Sequence, residues 1–217
     1  MIIKVCGMAD PENIRGLEEL GLVNWMGMIF YPPSRRYVPG FSVDPEFYQG
    51  VALPKVGVFV NASPDEIQGV VRDYGLDKVQ LHGDESLEQV REIKNLTGIS
   101  LIKVFRIGKE WSWQGLEAYE ELVDYFLLDT DGPSYGGTGH QFNWEIIKQY
   151  PFHKPFLLSG GIQADQAGEL VDLYQSAPHM AGIDINSKFE IRPGLKDLSL
   201  VREFSWEIRQ QLQKTKE

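Results

Sequence analysis

Strand and helix signals alternate most clearly in the stretch KVGVFVNASPDEIQGVVRDYGLDKVQL, residues 55–81, and this alternation decides the fold. The apolar run from Lys55 to Val60 is a candidate strand. A helix start follows at Ser63-Pro64-Asp65-Glu66, because a capping side chain there precedes a proline in the first turn. Apolar residues recur at helical spacing until Gly75, and Lys78 to Leu81 is the next candidate strand. The stretch predicts one strand–helix–strand unit of a parallel sheet.

The same alternation continues from one end of the chain to the other. Eight short apolar runs are candidate strands: Ile2 to Cys6, Trp25 to Phe30, Lys55 to Val60, Lys78 to Leu81, Leu101 to Arg106, Tyr125 to Asp129, Phe156 to Ser159 and Met180 to Ile185. Such nearly continuous hydrophobicity is typical of parallel strands that are buried on both faces. Helix patterns lie between them, although the one from Trp144 to Tyr150 is brief. Eight units without a break in composition predict a closed (β/α)8 barrel, with residues 1–217 as one domain.

Composition and charge disfavour several classes of protein. The formal net charge of -10 argues against nucleic acid or an anionic membrane as a partner, since both attract basic surfaces. No apolar run approaches the ~20 residues of a membrane span, and the N-terminus lacks the pattern of a signal peptide. A single cysteine cannot form an intrachain disulfide and fits a reducing compartment. We therefore expect a cytoplasmic protein. For the assembly state, which none of these features determines, the expectation is a monomer or a weak homodimer.

Two reactive residues stand where candidate strands end, which is where barrels of this kind form their active sites. Cys6 closes the first strand, and Asp129 closes the sixth after an apolar run. A buried carboxylate is costly unless it is used or paired. Each residue also has a structural interpretation. A lone cysteine is often a small buried filler, and Asp129 is also suited to capping the backbone of its loop.

Polar residues follow two other strands. Arg36 lies in the loop after the second strand, where an arginine is often only solvated, and Gln80 and His82 lie at the end of the fourth strand. His82 is equally consistent with a neutral histidine that hydrogen-bonds the loop. After the sixth strand, residues 130–140 are rich in glycine, which lets a loop fold closely over a ligand. Whether this loop closes as a lid is left open.

The last two strands end in small and polar residues. Strand seven ends in Ser159-Gly160-Gly161, and strand eight ends in Asp184-Ile185-Asn186-Ser187. The loops after strands seven and eight of such barrels often hold a phosphate, because small residues let backbone N–H groups approach the anion. Two tight turns are the structural alternative. The four histidines show no metal-ligand spacing and no G-x-G-x-x-G fingerprint occurs, so we expect neither a metal nor a cofactor.

Eight motifs occur in order along the chain: Lys4-Val5-Cys6-Gly7; Phe30-Tyr31-Pro32 with Ser34 and Arg36-Tyr37; Gly57-Val58-Phe59-Val60-Asn61; Val79-Gln80-Leu81-His82-Gly83; Leu128-Asp129-Thr130; Tyr135-Gly136-Gly137-Thr138-Gly139; Leu158-Ser159-Gly160-Gly161; and Pro193-Gly194 with Lys196-Asp197. Together they resemble the phosphoribosylanthranilate isomerase family of tryptophan biosynthesis, from residue 3 to about residue 204. Each motif alone is weak, but the ordered set is highly specific.

The resemblance implies a (β/α)8 barrel that converts N-(5-phosphoribosyl)anthranilate into 1-(2-carboxyphenylamino)-1-deoxyribulose 5-phosphate. This reaction is an Amadori rearrangement that requires no cofactor. By similarity, Cys6 matches the general base, Asp129 the general acid, and Arg36 a residue near the anthranilate carboxylate. Gly160-Gly161 and the loop from Asp184 to Ser187 match the phosphate-binding positions. The implied partner is a small anionic sugar phosphate.

The chain departs from the family pattern at one position and is ambiguous at another. Lys188 stands where the family usually has a glycine, which affects the expected shape of the phosphate loop. Arg35 beside Arg36 leaves open which guanidinium meets the carboxylate, although the Arg-Tyr pairing favours Arg36. Two other functions remain alternatives: a catalytically silent barrel that binds a sugar phosphate, and a different aldose–ketose isomerase. Cys6 and Asp129 together argue against the first, and the thiol at position 6 argues against the second.

Overall fold

Eight parallel strands form a closed barrel in the computed structural model, which describes residues 1–108, 111–130 and 143–214. The strands are β1 Ile2–Val5, β2 Trp25–Ile29, β3 Lys55–Phe59, β4 Lys78–Leu81, β5 Ser100–Ile107, β6 Tyr125–Thr130, β7 Phe156–Leu158 and β8 Met180–Ile185. The barrel closes because β1 pairs in parallel with β8, with Ile2 opposite Gly182 and Val5 opposite Ile185. The predicted (β/α)8 architecture is confirmed.

Helices connect the strands on the outside of the barrel. They are α1 Pro11–Leu20, α2 Pro45–Gln49, α3 Pro64–Tyr74, α4 Leu87–Thr97, α5 Ala167–Ser176 and α6 Leu198–Lys214. The cap predicted for α3 is present, since the Ser63 side chain accepts a hydrogen bond from the Glu66 N–H and the Glu66 side chain accepts one from the Ser63 N–H. The brief helix predicted after β6 is a 3-10 helix, Trp144–Gln149. Within the described ranges, no helix is long and apolar enough to cross a membrane.

The alternation of side chains along each strand divides the barrel interior into an apolar part and a polar part. The apolar part lies toward the N-terminal ends of the strands and consists of Trp25, Val56, Ile102, Val104, Leu127 and Leu157. Ile2 on β1 packs against this apolar part, and Leu127 on β6 belongs to it. Two residues beyond each of them, the next inward-facing positions carry Lys4 and Asp129. The outward-facing residues, such as Ile3 and Val5, pack in the larger core that includes the helices. The polar positions are therefore gathered at the C-terminal end of the barrel.

A small hairpin, which was not predicted, lies between β8 and α6. It consists of β9 Glu190–Arg192 and β10 Leu195–Lys196, which pair antiparallel, and a 3-10 helix, Ser187–Phe189, precedes it. Strands of three and two residues are too short to show a period in the sequence. The hairpin is relevant to the site because it brings Glu190 and Lys196 beside the end of β8.

Candidate active site

A pocket lies at the C-terminal end of the barrel, between the ends of the strands and the loops that follow them. Its lining includes all ten predicted site residues: Cys6, Arg36, Gln80, His82, Asp129, Gly160, Gly161, Asp184, Asn186 and Ser187. The barrel thus brings these widely separated positions to one cavity. Arg36 lines the pocket, whereas Arg35 is exposed and does not.

Asp129 ends the buried part of β6 and divides its two carboxylate oxygens between two neighbours. Oδ1 accepts a hydrogen bond from the N–H of Thr130 at 2.9 Å, which is the backbone-capping contact considered from the sequence. Oδ2 lies 3.3 Å from Nε2 of His82, at ion-pair distance but without hydrogen-bond geometry. His82 Nδ1 is in turn 3.3 Å from Nε2 of Gln80. Gln80 and His82 therefore form a polar row that ends at the carboxylate.

Cys6 follows β1 and faces the pocket from across the barrel mouth. The residue is 5% exposed, and its N–H donates to the carbonyl of Ile185 at 2.8 Å. Lys4 lies two positions earlier on the same face of β1 and is wholly buried, with its Nζ 2.8 Å from Oδ2 of Asp184. Burial raises the pKa of the Cys6 thiol, and the positive charge of Lys4 is the largest effect that opposes this rise.

Arg36 is held by a buried ionic cluster. Its Nε and Nη2 donate to the two carboxylate oxygens of Glu190 at 2.8 and 2.7 Å, which is a bidentate pair. Lys196 donates from the other side to Glu190 Oε1 and to Asn186 Oδ1, each at 2.7 Å. Burial lowers the pKa of Lys196 to about 8, although Glu190 opposes this shift. The cluster links the predicted carboxylate-binding arginine to the loop after β8.

The loops after β7 and β8 form the side of the pocket where a phosphate is predicted. Gly160 has φ +90°, and a Cβ there would lie only 2.6 Å from the backbone N of Thr130, so glycine is required for both conformation and space. Gly161 also has a positive φ, of +67°. In the neighbouring loop after β8, Asn186 precedes a 3-10 helix that begins at Ser187, and the exposed Lys188 lines the pocket beside them.

The carboxylate of Asp184 forms an ion pair with Lys4, so its charge is compensated within the protein. Its second oxygen, Oδ1, is buried and makes no hydrogen bond within the described part of the chain. A carboxylate repels a phosphate, so a direct contact between the two would be electrostatically unfavourable. Asp184 is the penultimate residue of β8, so it lies close to the loop that follows this strand.

Three charged residues of the site were not assigned a role from the sequence: Lys4, Glu190 and Lys196. The signal for Lys4 was its charge within an apolar strand, two residues before Cys6, where the strand period predicts the same face. Of the glycine-rich loop predicted at residues 130–140, residues 131–140 lie outside the described part of the chain, and so does the part of the chain that would form a lid. Among the residues that are described, no group of three or more His, Cys, Asp or Glu side chains is arranged to hold a metal ion.

A closed parallel barrel with a thiol and a carboxylate at the ends of its strands belongs to the class of (β/α)8-barrel enzymes. Comparison with known proteins narrows this class. Residues 3–206 match the family model described as N-(5'phosphoribosyl)anthranilate (PRA) isomerase. The chain therefore belongs to this family, and it is an isomerase of tryptophan biosynthesis.

Individual relatives agree with the family match. A protein of Phocaeicola vulgatus named N-(5'-phosphoribosyl)anthranilate isomerase is 45% identical, over 98% of this chain and 100% of its own length. A protein of Parabacteroides distasonis with the same name is 43% identical, over 96% of this chain and 93% of its own length. The solved phosphoribosyl anthranilate isomerase from Thermotoga maritima is 30% identical, with a TM-score of 0.80 over 97% of this chain and 100% of that one.

Proposed function

We propose that Cys6 is the general base and Asp129 the general acid of the isomerisation of phosphoribosylanthranilate. The observation that carries this assignment is that both residues face one pocket from the ends of β1 and β6 while both are nearly buried. Acid and base on different sides of one cavity can act on a single bound sugar without moving.

The first step opens the furanose ring. Asp129 gives its proton to the ring oxygen as the bond between that oxygen and C1′ breaks, and the lone pair of the anthranilate nitrogen forms a double bond to C1′. The product is a Schiff base, and Asp129 becomes a carboxylate. His82 lies beside this carboxylate, with its Nε2 3.3 Å from Oδ2.

The second step moves a proton from carbon. The thiolate of Cys6 removes the proton from C2′. The electrons of that C–H bond form a double bond between C1′ and C2′, while the second bond between C1′ and the nitrogen breaks and its electrons return to the nitrogen, which gives an enolamine. Protonation at C1′ and loss of the C2′ hydroxyl proton then give the ketone. The substrate and product contain the same atoms, so no external oxidant, reductant or cofactor takes part in this scheme.

The remaining pocket residues are proposed to bind the substrate. Arg36 uses Nε and Nη2 on Glu190, and a guanidinium has further N–H donors with which to meet the anthranilate carboxylate. We assign the phosphate to Gly160, Gly161, Asn186 and Ser187, with Asp184 close to the loop after β8. A relative at 29% identity was solved in complex with reduced 1-(o-carboxyphenylamino)-1-deoxyribulose 5-phosphate, which supports a carboxylated sugar phosphate as the ligand class.

Replacement of the acid and the base tests this proposal. We expect Cys6→Ser and Asp129→Asn each to lower turnover by at least about two orders of magnitude, the scale of general acid–base catalysis. The measurement is the loss of phosphoribosylanthranilate fluorescence with purified protein. Asp172→Asn is a matched control, because it removes the same charge from an exposed position on α5. A fully active Cys6→Ser or Asp129→Asn variant would overturn the corresponding role.

For the assembly state, we propose a monomer or a weak homodimer in which residues 1–217 form a single domain. The phosphoribosylanthranilate isomerase of Thermotoga maritima, a relative at 28% identity, is described as dimeric, and it was solved in the form of mutually generated monomers. Light scattering after gel filtration tests the proposal, with an expected mass near 24.7 kDa in dilute solution. A mass of twice this value that persists on dilution would contradict it.

We also propose that the protein works in the cytoplasm. The support is the single cysteine, which is a free thiol in the pocket and which, as a base, has to stay reduced. Fractionation of the source cells should recover the isomerase activity with the cytosolic proteins. Recovery in a secreted or envelope fraction would contradict this location.

A further inference from the structure

Lys4 is a wholly buried cation inside the barrel, at a position that the proposed acid–base scheme does not use. It lies on β1 two residues before Cys6, so both side chains face the interior, with Cys6 nearer the pocket. Its Nζ donates to Oδ2 of Asp184 at 2.8 Å, and the Asp184 residue is 5% exposed. This ion pair fixes the ammonium group below the floor of the pocket.

Gly27 on β2 shows how closely the ammonium and the thiol approach each other. A Cβ on Gly27 would lie 2.8 Å from Sγ of Cys6 and 3.0 Å from Nζ of Lys4. Sγ of Cys6 and Nζ of Lys4 therefore pack against the same point of the neighbouring strand β2. The absence of a side chain at position 27 provides the space in which they meet.

The thiolate form of Cys6 needs a compensating positive charge, because burial disfavours an anion. The charged groups that act on the thiol come from several elements: Lys4 on β1, Asp184 on β8, Lys196 on β10 and Arg36 in the loop after β2. Lys4 is the strongest of the stabilising charges, and Asp184 opposes it. Burial lowers the pKa of Lys4, but Asp184 and Cys6 together raise it above its ordinary value, so the lysine stays charged.

We propose that Lys4 is a positioning residue that stabilises the Cys6 thiolate, and that Asp184 holds the Lys4 ammonium group in place. This inference rests on the proposed role of Cys6 as the base, but the ionisation of the thiol can be measured without any substrate. Cys6 is the only cysteine in the chain, so every alkylation event reports on this thiol alone.

The experiment measures the rate of alkylation by iodoacetamide against pH, with the product quantified by mass spectrometry. The decisive variant is the double substitution Lys4→Met with Asp184→Asn. It removes one positive and one negative charge, so it leaves no buried ion unpaired and does not change the net charge of the pair. We expect the midpoint of the alkylation profile to move to higher pH by about one unit, with a roughly tenfold slower reaction at pH 7.

Lys103→Met with Glu85→Gln is the matched control. It removes another buried ion pair, with Nζ 2.9 Å from Oε2, that does not face the thiol. We expect the control to keep the wild-type midpoint. In the single variant Lys4→Met, the alkylation midpoint should move to higher pH by at least as much as in the double variant. Circular dichroism identifies any variant that does not fold. A folded double variant with an unchanged midpoint would overturn the proposal.

Activity measurements separate this inference from the role of Cys6. If Cys6 is the base, the ascending limb of the kcat/KM profile should move with the alkylation midpoint in the double variant. A shifted alkylation midpoint with an unmoved activity profile would leave the Lys4 inference standing and would reject Cys6 as the base. An unmoved alkylation midpoint rejects the Lys4 inference whatever the activity shows.

Discussion

At the scale of the residue, the sulfur of Cys6 occupies the space that a side chain on Gly27 would need. An alanine Cβ there would lie 2.8 Å from Sγ and 2.9 Å from Cα of Cys6, so the substitution has to displace the thiol. A displacement of about 1 Å can cost on the order of a hundredfold in rate. We expect Gly27→Ala to lower kcat at least about tenfold by this mechanism, measured with the fluorescence assay.

Gly69→Ala is the matched control for this substitution. Gly69 lies within α3, and a Cβ there would meet no atom within 4 Å. Alanine at an open helical position should stabilise the protein by about 0.5–1 kcal/mol and leave kcat unchanged. Wild-type kcat in a folded Gly27→Ala variant would show that the thiol does not depend on this contact.

At the scale of the element, the β9–β10 hairpin is held to the barrel by a carboxylate between two cations. Burial raises the pKa of Glu190, but Arg36 and Lys196 more than offset this and hold it below its ordinary value of 4.5. The folded state therefore favours the carboxylate, and the resulting stability is present above pH 4.5 and is lost as the pH falls through the folded pKa.

Glu190→Gln tests this pH dependence. We expect the variant to unfold at lower denaturant concentration than the wild type near pH 7. The difference in unfolding free energy between the two should shrink steadily below pH 4.5. Urea titrations at several pH values measure it. A difference that stays constant down to pH 3 would show that the charge of Glu190 does not hold the hairpin.

The loop between β8 and the hairpin carries the second prediction at this scale. Lys188 is exposed and lines the pocket with Gly160 and Gly161. An exposed ammonium near a bound phosphate is worth at most about 1 kcal/mol, so Lys188→Ala should raise KM by up to about fivefold and leave kcat unchanged. The effect should fade at high salt.

Lys148→Ala is the matched control, because Lys148 is an exposed lysine of the 3-10 helix Trp144–Gln149 and does not line the pocket. It should change neither kinetic constant. A KM for Lys188→Ala that equals the wild-type value at low salt would remove Lys188 from the phosphate site.

At the scale of the whole molecule, the barrel was predictable because each strand is a separate apolar run. Barrels of this kind form their sites at the C-terminal ends of their strands, so the strand ends also indicated where site residues would lie, and all ten predicted site residues line one pocket. The partners of these residues were not predictable in the same way. Lys4 contacts Asp184 across 180 positions, and this contact depends on the closure of β1 on β8. Arg36 contacts Glu190 across 154 positions, and this contact depends on the short hairpin that carries Glu190.

The closure of β1 on β8 also has a consequence for synthesis of the chain. Synthesis proceeds from the N-terminus, so β1 and the following Cys6 leave the ribosome first, and β8 with Asp184 leaves it nearly last. Until β8 arrives, the N–H of Cys6 lacks the carbonyl of Ile185, and the ammonium of Lys4 lacks its anchor. An incomplete nascent chain therefore carries the cysteine but not its partners, and the pocket is not complete before β8 and the hairpin that follows it have been translated.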